Sequence, residues 1–240
     1  MRYLNPTDIE WADKTWNPQV GCRNDCPYCY ARAMCIRFAV PWQRPKDFPF
    51  EPTFHPERLD APSKLTKPSK IFVCSMGEMW GPWVPYHWRY DILAAIEAAP
   101  QHTFLNLTKY PEGINDYQYN SANYIKHLPD NMWVGVSVDT TEAVGRLVTL
   151  REDVGHLQKF VSFEPLLEDV RSHPEFSLAG IGWVIVGAQT GPGGHQPDKD
   201  WLESLCFSAM NRGVPLFVKD NIDWPKSWVP RPQEFPEGMP

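Results

Sequence analysis

No stretch of this 240-residue chain approaches the ~20 consecutive apolar residues that a membrane-spanning helix needs. The polar opening MRYLNPTDIEW lacks the apolar core of a signal peptide, so a cytosolic location with reduced thiols is expected. Basic residues are the minority, 23 against 29 acidic ones for a formal net charge of −6, and no block of like charges interrupts the chain. That excludes a broad basic face built to clamp duplex phosphates and leaves room only for a local basic groove. There is no second C-x2-C pair, no H-E-x-x-H, no internal repeat and no linker rich enough to divide the chain. Zinc-finger, zincin and solenoid readings fall with them.

What is present is an apolar interior for one domain, with 42% hydrophobic residues. Near-continuous apolar runs at 70–76 (KIFVCSM), 103–109 (TFLNLTK), 132–139 (MWVGVSVD), 159–165 (KFVSFEP), 183–189 (WVIVGAQ) and 215–220 (PLFVKD) read as strands buried on both faces. A weaker candidate at 15–21 contains Pro18. Helical patterns fall between them at 30–38, 86–98, 140–151 and 200–211, the third with Thr140 or Thr141 as its cap. Residues 40–69 hold seven prolines and read as a long excursion, and 222–240 as an irregular tail pinned by Trp224 and Trp228. The alternation predicts an α/β domain spanning 1–240. A partly open (β/α) barrel of six or seven units is preferred over an open doubly wound sheet. The reason is that polar residues end almost every strand candidate, as they do around a barrel mouth.

Three of the six cysteines stand in one loop, Cys22, Cys26 and Cys29, spaced C-x3-C-x2-C within GCRNDCPYCYA. A structural zinc site needs four protein ligands, and Cys35 or His55 would have to supply the fourth. A 4Fe–4S cluster held by three thiolates instead leaves one iron open, which accounts for the missing cysteine. The motif after a first strand, with Tyr28 just before the third cysteine and a helix following, resembles that of the radical S-adenosylmethionine (SAM) superfamily.

The resemblance implies a radical SAM type of barrel in which the open iron chelates the amino and carboxylate groups of SAM. Reductive cleavage then gives a 5′-deoxyadenosyl radical. It further implies SAM contacts from Tyr28, from the turn Met76, Gly77 and Glu78, from Ser137 and Glu164, and an electron donor such as a flavodoxin or ferredoxin. Met76 stands where the superfamily commonly has Gly. IEWADKTWNPQVGC, FLNLTKYPE, VGVSVDT, SFEPLLEDV, WVIVGAQTGPGG and PLFVKDN resemble a phage-associated, spore photoproduct lyase-like family found near DNA-modification genes. A nucleotide, modified base or short nucleic-acid segment is the substrate that this implies.

Lys109, Asp139, Gln189, Lys219 and Asp220 are candidates for cofactor or substrate contact at strand ends, with the two lysines holding a phosphate or carboxylate. The 187–194 segment (GAQTGPGG) offers backbone N–H groups to an anion, and Cys74 is a candidate to return hydrogen to a product radical. The competing readings are a zinc-stabilised α/β binding protein without catalysis and an iron–sulfur protein that only transfers electrons.

Overall fold

The apolar runs become strands because β-branched and aromatic side chains pack well on a pleated surface covered on both faces. The computed structural model describes residues 3–38, 50–119, 127–153, 157–191 and 193–240. In chain order it contains β1 (Leu4–Pro6), β2 (Lys14–Trp16), β3 (Gln19–Val20), α1 (Tyr30–Phe38), β4 (Thr53–Phe54), β5 (Lys70–Val73), α2 (Tyr86–Glu97) and β6 (Thr103–Thr108). Next come α3 (Glu112–Tyr119), β7 (Met132–Ser137), α4 (Val144–Asp153), β8 (Gln158–Phe163), β9 (Trp183–Val186), α5 (Lys199–Asn211) and β10 (Leu216–Val218). Eight of these strands belong to a mostly parallel sheet, which establishes the mixed α/β class. No described helix is long and apolar enough to cross a membrane.

The chain falls into two compact units, Met1–Asn106 with Asp116–Met132 and Pro240, and Leu107–Asn115 with Trp133–Met239. In the first, β1 pairs antiparallel with β2, and β2, β5 and β6 run parallel. Trp16, Ile71, Val73, Trp80, Ile92, Ile96 and Phe104 are fully buried there. In the second, β7, β8, β9 and β10 are all parallel, and Val134, Phe160, Trp183, Ile185 and Val218 form the interior.

Three differences from the sequence reading have local causes. The 15–21 candidate splits: β2 stops at Trp16 before Asn17 and Pro18, and β3 pairs antiparallel with β4 instead. α4 begins at Val144 because Thr141 is spent elsewhere, donating its N–H and its hydroxyl to the Glu168 carboxylate. Between β8 and β9, where the sequence shows no helical pattern, the chain forms a 3-10 turn, Val170–Ser172. α3 has no counterpart in the reading, being short and polar with Gly113 in its first turn. Of the 40–69 excursion, 40–49 lies outside the described residues, while 50–69 carries β4 and two 3-10 turns. The tail is irregular as expected. Trp224 and Trp228 meet edge to face, but Phe235, packed on Trp183 and Phe217, anchors it to the sheet.

The C-terminal end of α2 depends on one side chain. Asn131 Nδ2 lies 3.2, 3.1 and 3.3 Å from the carbonyl oxygens of Ile96, Ala99 and His102, the first two of which also accept the N–H groups of Ala99 and His102. Asn131→Ala is expected to cost about 1–2 kcal/mol in urea unfolding. Asn131→Asp should cost more, because it sets a carboxylate against those oxygens. Equal stability of the Asp variant and the wild type would remove Asn131 from this role.

Candidate metal and cofactor site

The cysteine loop is launched by a backbone constraint. Gly21 has φ of +96°, and a Cβ there would stand 2.3 Å from the Glu51 carbonyl oxygen, so glycine is required on both counts. With no side chain, Gly21 approaches the segment after β5, and its N–H donates to the Met76 carbonyl at 2.8 Å. The next N–H, from Cys22, donates to Phe50 O at 2.9 Å. The loop then turns through Cys29 N–H to Cys26 O (3.2 Å) into α1, where Ala33 N–H reaches Cys29 O.

All six cysteines are free thiols. Cys22, Cys26 and Cys29 are half-buried, and two of their sulfurs accept backbone N–H groups, Cys22 from Asn24 (3.2 Å) and Cys29 from Arg32 (3.4 Å). Burial pushes the Cys22 thiol up to about 12, and the charges of Glu78, Cys26 and Cys29 add to that, against the Asn24 N–H. Three thiols and a carboxylate therefore share one field, and thiolates gathered there need a cationic group among them. Among the described residues no three Cys, His, Asp or Glu side chains close around a single metal ion. An iron–sulfur cube is larger than one ion and sets its thiolates further apart. A loop of three half-exposed thiols with N–H donors on two sulfurs suits that group. Cys35 lies in α1, and Cys206 is buried in α5. His55 faces Glu57 at 3.2 Å.

The 75–78 turn is tied to the same loop from several sides. Asn17 Oδ1 accepts from Met76 N–H (2.9 Å) and from the Ser75 hydroxyl (3.2 Å). Tyr30, directly after Cys29, donates its hydroxyl to Ser75 O at 2.7 Å. The carbonyls of Ser75 and Met76 are thus already engaged, by Tyr30 and Gly21, and the burden of receiving a ligand amine shifts to Gly77 and Glu78. Gly77 is itself required, since a Cβ there would stand 2.3 Å from Gln19 Oε1. Gln19 is fully buried, donates Nε2–H to Gly21 O at 2.7 Å, and its Oε1 is a buried acceptor with no hydrogen-bond donor.

Glu78 is buried at 5% exposure, and its Oε1 accepts the Trp80 N–H at 3.1 Å. Arg89 fixes the 79–81 backbone, donating to the carbonyls of Met79 (3.1 Å), Trp80 (3.2 Å) and Gly81 (2.7 Å). Burial lowers the Arg89 pKa, opposed by the charges of Asp116 and Glu78. Trp80 donates its indole N–H to Asn106 at 2.6 Å. Asn17, Gln19 and Arg89 did not emerge from the sequence. They act by holding backbone, and no motif spacing marks such residues. Cys74 is buried with φ of +56°, its thiol pushed up to about 12 by burial and its sulfur accepting the Gln19 N–H. Tyr28 is half-buried between the second and third cysteines.

In the second unit, the strand-end residues form two ion pairs. Lys109 Nζ lies 2.9 Å from Asp139 Oδ2, and Arg146, from α4, donates to Asp139 Oδ1 (3.1 Å) and to the Ser137 carbonyl (2.9 Å). Two cations share one carboxylate, and the Glu168 carboxylate lies within electrostatic range of Asp139. Arg146 escaped the sequence reading because only α4 packing brings it to β7. Lys219 is bound to Glu164, both largely buried, and a Cβ on Gly187 would press on both side chains at 3.0 Å. Lys219 is therefore neutralised by the residue that the resemblance gave to SAM. In the 187–194 segment the N–H groups of Gly187, Ala188, Gln189 and Gly194 donate to Phe163 O, Asn221 Oδ1, His195 O and Gly191 O. Gln189 is half-buried, and Ser137 is buried at the end of β7. Asp220 is engaged by Arg231 and Gln233 of the tail.

A sequence-family model described as "Protein of unknown function (DUF5131)" matches residues 6–236. A comparison with curated proteins finds no match. Solved structures of spore photoproduct lyase are similar in fold. A tyrosine-to-phenylalanine variant aligns with a TM-score of 0.54 at 11% identity, covering 90% of this chain and 78% of its own. A double variant with bound AdoMet and dinucleoside spore photoproduct gives 0.52 at 12%, with coverages of 83% and 61%. A cysteine-to-serine variant gives 0.50 at 13%, with 78% and 59%. The chain spans 59–61% of the length of the latter two, and at these identities the likeness is one of fold.

Gly21→Ala is expected to lose about 2 kcal/mol or more in urea unfolding, from a strained φ and a clash with backbone. Gly145→Ala is the internal control. It lies in α4 with nothing within 4 Å of a new Cβ, so it should gain about 0.5–1 kcal/mol. If the two alanines behave alike, the constraint at Gly21 is not what shapes the loop.

Proposed function

Because the chain belongs to the DUF5131 family, whose description assigns no activity, we propose from the site itself that it is a radical SAM enzyme acting on a nucleic-acid-like substrate. The observation that carries this reading is the joining of a three-thiol loop to the 75–78 turn through Gly21, Asn17 and Tyr30, with Glu78 in the field of Cys22. Cys22, Cys26 and Cys29 would hold a 4Fe–4S cluster, with SAM completing it at the open iron. When bound, that pair supplies the reductive cleavage of SAM and a 5′-deoxyadenosyl radical able to abstract hydrogen.

The chain's own residues then bind and orient. In this proposal Glu78 and Gly77 receive the SAM amine, with Asn17 and Arg89 keeping their backbone in place, and Tyr28 packs on the adenine. Met76 contributes through its main chain, already tied to Gly21. Ser137, Glu164 and Gln189 are assigned to SAM, Glu164 through whichever carboxylate oxygen Lys219 leaves open. The Lys109, Asp139 and Arg146 cluster, with two cations on one carboxylate, is assigned to an anionic substrate group. Cys74 is kept as a hydrogen donor to a product radical. Its buried, high-pKa thiol is protonated at neutral pH, as that role demands. A partly open barrel and a flavodoxin or ferredoxin as electron donor complete the proposal. The spore photoproduct lyase structures that hold a dinucleoside support the nucleic-acid-like substrate class.

Anaerobic reconstitution should give brown protein with about four irons per chain. Alanine at Cys22, Cys26 or Cys29 should abolish both the cluster and 5′-deoxyadenosine formation, and alanine at Cys35 or Cys206 should spare both. Colourless protein holding one tight zinc would overturn the assignment. Lys109→Gln should leave uncoupled 5′-deoxyadenosine formation within about twofold while weakening binding of a dinucleotide by roughly tenfold, the loss of one charge-assisted contact. An unchanged dinucleotide affinity would remove Lys109 from the substrate.

A further inference from the structure

A second polar cavity lies in the second unit, apart from every residue assigned above. It is a concavity of about 380 Å³, open to solvent, between the 3-10 turn Val170–Ser172, the segment after it and the last turns of α5. Arg171, His173, Ser177, Ser208 and Arg212 are among its walls, and no carboxylate lines it.

The formal charge of these walls is one-sided. His173 Nδ1 accepts the Glu175 N–H at 3.2 Å, so its ring proton sits on Nε2 and that nitrogen is a donor. Ser177 Oγ accepts the Ala179 N–H at 3.2 Å, which leaves its O–H to give. The nearest carboxylate in sequence, Asp169, is spent capping the turn, accepting the Arg171 N–H. Both arginines are exposed. Arg23, Arg32, Arg58, Arg146 and Arg231 each pair with a carboxylate, and Arg89 binds three carbonyls. Among the described residues Arg171 and Arg212, like Arg151, have no ion-pair partner, in a chain with 29 acidic residues against 23 basic ones. The Ser172 and Ser208 hydroxyls donate to the Asp169 and Ser204 carbonyls and leave only acceptor lone pairs, whereas the two guanidinium groups, the ring N–H and the Ser177 hydroxyl supply donors, the arginines in forks that match phosphate oxygens.

We propose that this cavity binds a phosphoryl oxyanion. It is separate from the Glu164 and Lys219 pair: Arg212 precedes β10 and Lys219 comes after it, so the two lie toward opposite ends of that strand. The volume falls in the range of small-ligand sites, about 300–1,000 Å³, and leaves room for what the phosphate is attached to. That carrier is either a free phosphorylated small molecule or a nucleic-acid strand.

Titration calorimetry on the full chain with pyrophosphate, and separately with a short single-stranded oligonucleotide, tests the site and its source. The Arg171→Gln/Arg212→Gln variant should bind at least one of these probes tenfold or more weakly than wild type, with an unchanged urea midpoint. A Lys64→Gln/Lys226→Gln variant, which removes the same charge from exposed positions, should bind as wild type does. Loss confined to pyrophosphate identifies a small-molecule site, loss confined to the oligonucleotide a strand contact, and loss of both a site for the phosphate itself. Equal affinities in the arginine variant and wild type, or equal losses in the lysine variant, would overturn the proposal.

Discussion

Everything proposed for the first unit depends on one backbone contact, the N–H of Gly21 donating to the Met76 carbonyl. It joins the residue before the first loop cysteine to the turn after β5, two segments more than fifty residues apart in sequence. The contact exists because Gly21 has a positive φ and no Cβ, and because β2 ends early enough for the chain to leave the sheet. Asn17 and Tyr30 repeat the same tie on either side of it. Three separate hydrogen bonds between one loop and one turn make their relative position a property of the fold, so that a ligand of both would meet a site already formed.

The electrostatics of the two units follow opposite logics. In the first, three thiols and a carboxylate gather, and burial raises the Cys22 pKa with their charges adding to it. Thiolates gathered there call for a cationic group beside them. In the second, nearly every strand-end charge is answered within the chain: Lys109 and Arg146 by Asp139, Lys219 by Glu164, Arg231 by Asp220. Pairing of this kind costs desolvation that attraction only partly repays, so it fixes side-chain direction more than it adds stability. An anionic ligand entering there would compete with Asp139 for its cations.

The sequence made the strands legible because they are apolar on both faces, and α1 was readable to its last residue. The cysteine loop was legible for a different reason: spacing alone carries ligand chemistry. What was hidden depends on residues meeting across the fold. Nothing in the sequence ties Arg146 to Asp139, Arg89 to the carbonyls after Glu78, or Phe235 to Trp183. Lys219 looked like a phosphate ligand because a strand-end lysine is one when unpaired, and only packing around Gly187 reveals its partner Glu164. In the Gly-rich 187–194 segment the N–H groups of Gly187, Ala188, Gln189 and Gly194 are taken by partners that no local pattern specifies. Short polar α3 escaped because its stability comes from packing and not from its own propensity.

The central claim is that three cysteines hold a cluster whose remaining iron belongs to SAM, beside a turn fixed by Gly21. The measurement closest to it is electron–nuclear double resonance on the reduced, reconstituted protein with SAM labelled at the amino nitrogen and at the carboxylate. The account predicts hyperfine coupling from both labels to the cluster in wild type, and their loss in Cys29→Ala. A reduced cluster that shows neither coupling, with SAM bound at saturating concentration, would contradict it.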